Sequence, residues 1–173
     1  RGGKGGLSEG GLRVPSALVW PGKITAGQKH SQAISSLDIA PTIVKAAGGD
    51  FDQSELDGID IMPQILVGRK TSRALFWASQ QIYAVRQGKW KLIRVDFSDQ
   101  TRFWLFDLSE DIGEKNNLAE SQKTKVNSLN ILLNEWIKTH EAPRFRAGDY
   151  LSDEQKWMRL TEWMKFENDK ELK

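Results

Sequence analysis

The chain has 173 residues, of which 39% are apolar, with seven tryptophans and a formal net charge of +2. This length and apolar content predict one domain, or one domain with an appendage, built around a buried core. The small charge and the interspersed basic and acidic residues argue against a nucleic-acid-binding protein. The lack of cysteine excludes disulfides, zinc thiolate sites and thiol nucleophiles within the chain. No apolar run approaches the roughly 18 residues of a membrane span.

The first residues, RGGKGGLSEGGLRVP, place Lys4 among glycines. Glycine lets the backbone approach a ligand closely, and lysine is a compact charge suited to a phosphate or sulfate oxyanion. Neither familiar phosphate loop fits, because Gly5 follows the lysine where a P-loop needs Ser or Thr, and Ser8 stands where a dinucleotide motif needs glycine. From these residues alone, Lys4 is either an anion ligand or part of a solvated terminus.

Residues 14–70 predict a strand followed by helices. Residues 14–20 form a continuous apolar run, which predicts a strand buried on both faces. The stretch SLDIAPTIVKAAGG predicts a helix with Asp38 as N-cap and Gly48 as its left-handed stop. A second, short helix is expected over residues 63–67, after an Asp57-Gly58 turn.

From residue 73 to residue 107 the hydrophobic period changes to two, which predicts about four short strands. A hairpin turn at Gln87-Gly88 separates strands over 82–86 and 90–95, and a further strand is expected over 103–107. Connections this short require antiparallel pairing. Within KWKLIR, basic and apolar residues alternate, as in a half-buried strand whose lysines face water or in a sugar- or nucleic-acid-binding strip.

Two amphipathic helices are predicted after the strands. One helix covers residues 121–139, and its apolar stripe consists of Val126, Leu129, Leu132, Leu133, Trp136 and Ile137. The other begins at a Ser152/Gln155 capping box, after a linker marked by Pro143 and Gly148. The predicted fold class is therefore α+β, with an antiparallel sheet of about four strands packed against a long C-terminal helix and preceded by a strand-helix segment.

Eight sequence blocks occur in the order seen near the C-terminus of formylglycine-dependent sulfatases: KGGLSEGGLRVP, WPGKI, SSLDIAPTI, LDGIDIMP, LFW, AVRQGKWKLI, LFDLSED and GEKNNLA. Over residues 1–140 the chain resembles this C-terminal part of the arylsulfatase family, within the alkaline-phosphatase-like superfamily. Ile112 departs from the proline often found there, which affects only the rigidity of a turn. The resemblance implies that residues 1–70 end a catalytic α/β domain, that 71–142 form a C-terminal subdomain, and that 143–173 are a linker and helical extension.

The resemblance gives Lys4 a catalytic role. The corresponding lysine of these sulfatases contacts the sulfate oxygens beside a divalent cation. Glu9 and Arg13 are interpreted as structural support, because a paired Glu and Arg can fix the loop that carries the lysine.

The resemblance places the remaining catalytic groups outside this sequence. The nucleophile of the family is a formylglycine made from a Cys/Ser-x-Pro-x-Arg motif, which does not occur here. The calcium ligands are likewise expected upstream of residue 1, and no metal ligand is expected in this chain. His30 and His140 are interpreted as solvated surface residues. Asp38, Asp57 and Asp60 are interpreted as cap and turn residues.

A second contribution to the site is expected after the LFW block. In the family, the end of this strand approaches the substrate pocket. Trp77, Ser79 and Gln80 are therefore candidate substrate-binding residues, whose contacts would be neutral hydrogen bonds. The alternative is that Trp77 belongs to the core and Ser79 only ends a strand.

The sequence is compatible with three functions. The first is that the chain is the C-terminal fragment of a sulfatase acting on a carbohydrate or aryl sulfate monoester, inactive by itself and partnered by the N-terminal catalytic part of the same protein. The second is a phosphate or phosphonate ester hydrolase of the same superfamily, and the third is a non-catalytic folding or interaction module. The resemblance implies a periplasmic or extracellular location, with neither nucleic acid nor membrane as partner, and exposed apolar surface around residues 14–20.

Overall fold

A computed structural model describes residues 2–79, 81–140, 152–156 and 158. The chain divides into two compact units. The sheet unit contains residues 2–15 and the described residues from 74 onward, and the helical unit contains residues 16–73. The division of the parent protein at residues 70 and 142 stays a prediction.

The α-helices of the described residues include α1 (Glu9–Leu12), α2 (Ile39–Ala46), α3 (Met62–Val67) and α4 (Lys123–Lys138). The strands are β1 (Ala74–Ser79), β2 (Ile82–Gln87), β3 (Trp90–Asp96) and β4 (Thr101–Asp107). They form one sheet in the order β1-β2-β3-β4, and every neighbouring pair is antiparallel. The predicted α+β class and the four-stranded antiparallel sheet are confirmed.

The hairpin between β2 and β3 turns one residue later than predicted. Gln87 pairs with Trp90, so the two-residue loop is Gly88-Lys89. Gly88 has a φ of 60°. Lys89 does not have a positive φ, and a positive φ at the first central position alone belongs to a type II′ turn, whose twist matches that of the flanking strands.

Helix α4 packs on one face of the sheet. Its Val126, Leu129 and Leu133 form a buried cluster with Leu92 and Leu105 of the strands. These helical residues repeat at intervals of three and four, which places them on one stripe facing the sheet. The helix predicted over residues 121–139 is confirmed.

The N-terminal segment packs in the cluster on the other face of the sheet. Leu7 is buried in a cluster with Ile93, Trp104 and Phe106. Alternate residues of a strand point to opposite faces, so Ile93 belongs to this cluster while Leu92 belongs to the cluster under α4. The segment that carries Lys4 is therefore anchored in the core of the sheet unit.

Asp38 is the polar centre of the helical unit, and its side chain is fully buried. Its Oδ2 accepts the Ser35 N–H at 2.7 Å and forms an ion pair with Arg73, while Oδ1 accepts the Ile59 N–H at 3.0 Å. The prediction that Asp38 caps α2 is wrong, because its side chain makes no capping bond to that helix. It closes a capping box with Ser35 at the preceding 3₁₀-helix. The carboxylate is needed there because it joins three separate segments.

Two other predicted helix caps are present in the structure. Gly48 has a φ of 79°, and the Gly49 N–H donates to the Val44 carbonyl, which completes the left-handed stop predicted for α2. The predicted Ser152/Gln155 capping box is confirmed by reciprocal bonds of 2.9 and 3.2 Å. The linker at Pro143 and Gly148 and most of the helix predicted after Ser152 lie outside the described residues.

Residues 14–20 form no strand in the described part of the chain, so the prediction of a strand buried on both faces is wrong. Val14 is 74% exposed and Val19 is 82% exposed. The exposed apolar surface expected in this segment is confirmed.

Among the described helices, none combines the length and the apolar character needed to cross a membrane.

Candidate functional site

Lys4 lies on a tight turn that the glycines make possible. The Gly6 N–H donates to the Gly3 carbonyl at 3.0 Å, so Lys4 and Gly5 are the central residues of the turn. Gly5 has a φ of 88°, which a type II turn requires at its third position. The side chain of Lys4 is exposed. The turn therefore presents an ammonium group to the surroundings of the sheet unit.

Gly11 of α1 packs directly against this turn. A Cβ atom at this position would lie 2.1 Å from the Gly6 carbonyl oxygen and 2.6 Å from that of Gly3. Only glycine permits such close approach of two backbone segments. The position of the turn is thus set by the position of α1.

Helix α1 is fixed to the sheet by a buried cluster of charged groups around Glu9. The Lys91 ammonium lies 3.0 Å from Oε1 of Glu9 and 2.8 Å from Oε1 of Glu114. The other oxygen of Glu114 accepts the backbone N–H of Glu9 at 2.8 Å. Arg86 lies at the edge of the cluster, with a guanidinium nitrogen 3.4 Å from Oε2 of Glu9.

This cluster is electrostatically balanced, because two carboxylates face one ammonium and one guanidinium. Lys91 and Glu114 are fully buried, and Glu9 is 5% exposed. Removing one member of such a buried set typically costs about 3–5 kcal/mol, because an uncompensated charge remains. The cluster is therefore a strong constraint on where α1 lies.

The predicted partner of Glu9 differs from the observed ones. Arg13 is exposed, and its link to Glu9 is a backbone bond in which the Arg13 N–H donates to the Glu9 carbonyl at 2.7 Å. The carboxylate of Glu9 instead pairs with Lys91 and Arg86, which are 82 and 77 residues away in sequence. A support role for Glu9 and Arg13 in an active site stays a prediction.

The alternation in KWKLIR predicts that Lys91 faces water, and this prediction is wrong because Lys91 is fully buried. Odd-numbered residues of β3 point to the face that Leu7 covers, so Lys91 is buried beneath the N-terminal segment. Lys89 of the same stretch is in the turn and is half exposed, and it pairs with Asp107 at 2.6 Å. Lys89 and a Ser109 hydroxyl lower the pKa of Asp107. The sequence offered no local signal for the burial of Lys91, since its partners are distant.

The second group of predicted site residues lies at the end of β1. Trp77 is partly buried and packs against the apolar cluster that contains Leu7. Ser79 is half buried and pairs with Ile82 in the ladder between β1 and β2. Gln80 lies outside the described residues. Substrate contacts by these three residues stay predictions.

The histidines and the other aspartates have the surroundings expected from the sequence. His30 and His140 are both exposed. Asp60 accepts the Met62 N–H at 2.9 Å at the start of α3, and Asp57 is exposed. Within the described residues, no group of three or more His, Cys, Asp or Glu side chains could hold a metal ion.

The sequence matches a known protein family over most of its length. Residues 4–141 match the family described as N-sulphoglucosamine sulphohydrolase, C-terminal. The chain is 37% identical to arylsulfatase A of Bos taurus over 145 residues, which are 69% of this chain and 28% of that protein. It is 36% identical to N-acetylgalactosamine-6-sulfatase of Sus scrofa over 91 residues, which are 51% of this chain and 17% of that protein.

A solved structure shows the same fold. The crystal structure of Ps i-CgsB in complex with k-i-k-neocarrahexaose superposes with a TM-score of 0.63 and 23% identity, over 82% of this chain and 32% of that one. The chain thus spans less than a third of the length of each of these proteins. Because the family match covers residues 4–141, which are most of the chain, the chain belongs to the family of sulfatase C-terminal regions.

Proposed function

We propose that this chain is the C-terminal part of an enzyme that hydrolyses sulfate monoesters, and that Lys4 contacts the sulfate group. The observation that carries this proposal is the exposed Lys4 on a glycine turn that α1 and the buried Glu9 cluster hold in place. The membership in the sulfatase C-terminal family supports the reaction class.

The chemistry of sulfate ester cleavage suits a fixed cation. Negative charge shifts onto the sulfate oxygens and the leaving group as the S–O bond breaks. An ammonium group held beside those oxygens stabilises the transition state more than the ground state, and this difference accelerates the reaction. A preorganised turn matters because the charge then needs no rearrangement when the reaction occurs.

The proposal assigns to this chain the charge of Lys4 and its support. A formylglycine would supply the nucleophile and a calcium ion would supply further positive charge, both from the N-terminal part of the protein. The described residues contain no group suited to hold that metal. The proposed substrates are carbohydrate or aryl sulfates, as the names of the relatives suggest. The proposed location is periplasmic or extracellular.

We further propose that the N-terminal part of the same protein covers the apolar side chains of the helical unit. Ile39 and Ile43 lie one turn apart on α2, and both are more than half exposed. Further exposed apolar side chains of this unit are Leu18, Val19, Leu37, Leu66 and Val67. Large apolar side chains exposed at several places in one small unit are typical of a surface that another part of the protein covers. Binding of a hydrophobic dye by the isolated chain, lost in the full-length protein, would support this; equal binding by both would contradict it.

The reaction class is tested with the purified full-length protein. It is given 4-nitrophenyl sulfate, 4-nitrophenyl phosphate and a phosphonate ester under the same conditions. The proposal predicts a higher kcat/KM for the sulfate than for the other esters. A preference for phosphate or phosphonate would favour the other branch of the superfamily, and no turnover of any ester would favour a non-catalytic module.

A further inference from the structure

We infer that Lys91 and Glu114 are positioning residues, which act on the reaction through Lys4 without touching the substrate. This inference rests on the proposed function, because it concerns how the turn that carries Lys4 is held. The two residues lie 87 and 110 positions after Lys4 and have no sequence proximity to it.

The first step is the contact between Glu114 and α1. Its Oε2 accepts the N–H of Glu9, the first residue of α1, at 2.8 Å. The first N–H groups of a helix have no partner within the helix, so an external carboxylate both satisfies this donor and complements the positive end of the helix. Glu114 thereby fixes the start of α1.

The backbone of Glu114 shows that this placement is constrained. Its φ of 52° makes it the one non-glycine residue with a positive φ in the described part of the chain. Its own loop is held by Asp111, whose carboxylate accepts the N–H groups of Lys115 and Asn116 at 2.6 and 2.7 Å. A non-glycine residue persists in this conformation only where the surrounding structure fixes it.

The second step is the role of Lys91 between the two carboxylates. Glu9 and Glu114 both approach the same ammonium, at 3.0 and 2.8 Å, in a region without solvent access to Lys91. Two carboxylates this close would repel each other in the absence of a cation. Lys91 therefore offsets the repulsion between the two carboxylates and allows Glu114 to remain against α1.

The third step carries this constraint to Lys4. Helix α1 meets the turn at Gly11, where the backbone is too close to Gly3 and Gly6 for any side chain. A displacement of α1 must move the turn, and the ammonium of Lys4 moves with it. A shift of about 1 Å in a reacting group can cost about 100-fold in rate.

The test is a double-mutant cycle in the full-length protein. Glu114→Gln keeps the size of the side chain and an oxygen acceptor for the Glu9 N–H but removes the charge, so it weakens the cluster that holds α1 without opening a cavity. We expect kcat on a 4-nitrophenyl sulfate to fall about tenfold with little change in KM, because a contact made mainly in the transition state is misplaced. In a Lys4→Ala background, the same substitution should change kcat less than about twofold, since the residues couple. Lys91→Arg, which keeps the charge with different geometry, replaces Glu114→Gln if that variant does not fold.

The outcomes separate this inference from the proposed function. If Lys4→Ala alone has normal kinetics, the proposed function fails and the inference fails with it. If Lys4→Ala is impaired but Glu114→Gln has the same effect in both backgrounds, the proposed function stands and the positioning role is refuted. Arg94→Met is the matched control. Arg94 lies on β3, as Lys91 does, but its side chain donates a hydrogen bond to Asn134 of α4 on the other face of the sheet. The kcat of this variant should stay normal.

Discussion

Substituting Gly11 by alanine perturbs the proposed site without changing a charge. The new Cβ would lie 2.1 Å from the Gly6 carbonyl oxygen, and separations below 3.0 Å are essentially never found for real Cβ atoms. The second close contact, with the Gly3 carbonyl oxygen at 2.6 Å, is also with backbone, so no side-chain rotation relieves either contact. The turn and α1 must separate by about 1 Å, which predicts a fall of about 100-fold in kcat/KM of the full-length protein.

The assay is steady-state hydrolysis of 4-nitrophenyl sulfate, with the folded fraction measured by thermal melting. Gly58→Ala is a suitable control, because its Cβ would lie 1.9 Å from the Leu37 carbonyl oxygen, a similar clash within the helical unit. We expect this control to lower the melting temperature while the folded enzyme keeps its kcat/KM. A folded Gly11→Ala protein with normal kcat/KM would show that the turn does not position a catalytic group.

Three further predictions concern stability, titration and activity. Asp38→Ala should lower the free energy of unfolding by about 3–5 kcal/mol, because Arg73 loses its buried partner. The control Asp57→Ala, at an exposed position, should change it by less than about 0.5 kcal/mol. Similar denaturant midpoints for the two variants would contradict this prediction. Hydrogen bonds from Ser98, together with Lys156, lower the pKa of Asp153 to about 2. The contribution of this contact to stability should be complete above about pH 4 and lost as the pH falls through 2; an NMR midpoint at 3.8 or higher would refute it. The isolated chain should not hydrolyse sulfate esters, since it lacks the nucleophile motif, and turnover above the buffer rate by protein free of contaminating enzyme would count against this.

The sheet and α4 follow from local sequence patterns. Alternation with period two and the glycine at position 88 specify a hairpin, and apolar residues three and four apart specify α4. The turn at Gly88 differs from the prediction by one residue because pairing with Trp90 decides the register. These features depend on neighbours in the chain, which is why they can be predicted.

The support of Lys4 depends on contacts that no local pattern encodes. Lys91 alternates with apolar residues as a solvent-facing lysine would, and only the N-terminal segment packed on that face makes it a buried ion-pair partner. Glu114 stands in a loop whose sequence resembles an ordinary turn, and its contact with Glu9 spans 105 positions. The local sequence around Asp38 predicts only a helix cap, because its partners Ile59 and Arg73 lie far along the chain.

The most direct test of the proposed role of Lys4 is the kcat of Lys4→Ala in the full-length protein on a sulfate ester. Loss of one charge-assisted contact to a developing oxyanion predicts a fall of about 10²- to 10³-fold, with an unchanged thermal melt because the side chain is exposed. Lys4→Arg should restore only part of the activity, because the planar guanidinium cannot occupy the same point as the ammonium. A folded Lys4→Ala protein with normal kcat and KM would contradict the role and leave Lys4 as a surface charge on a glycine-rich turn.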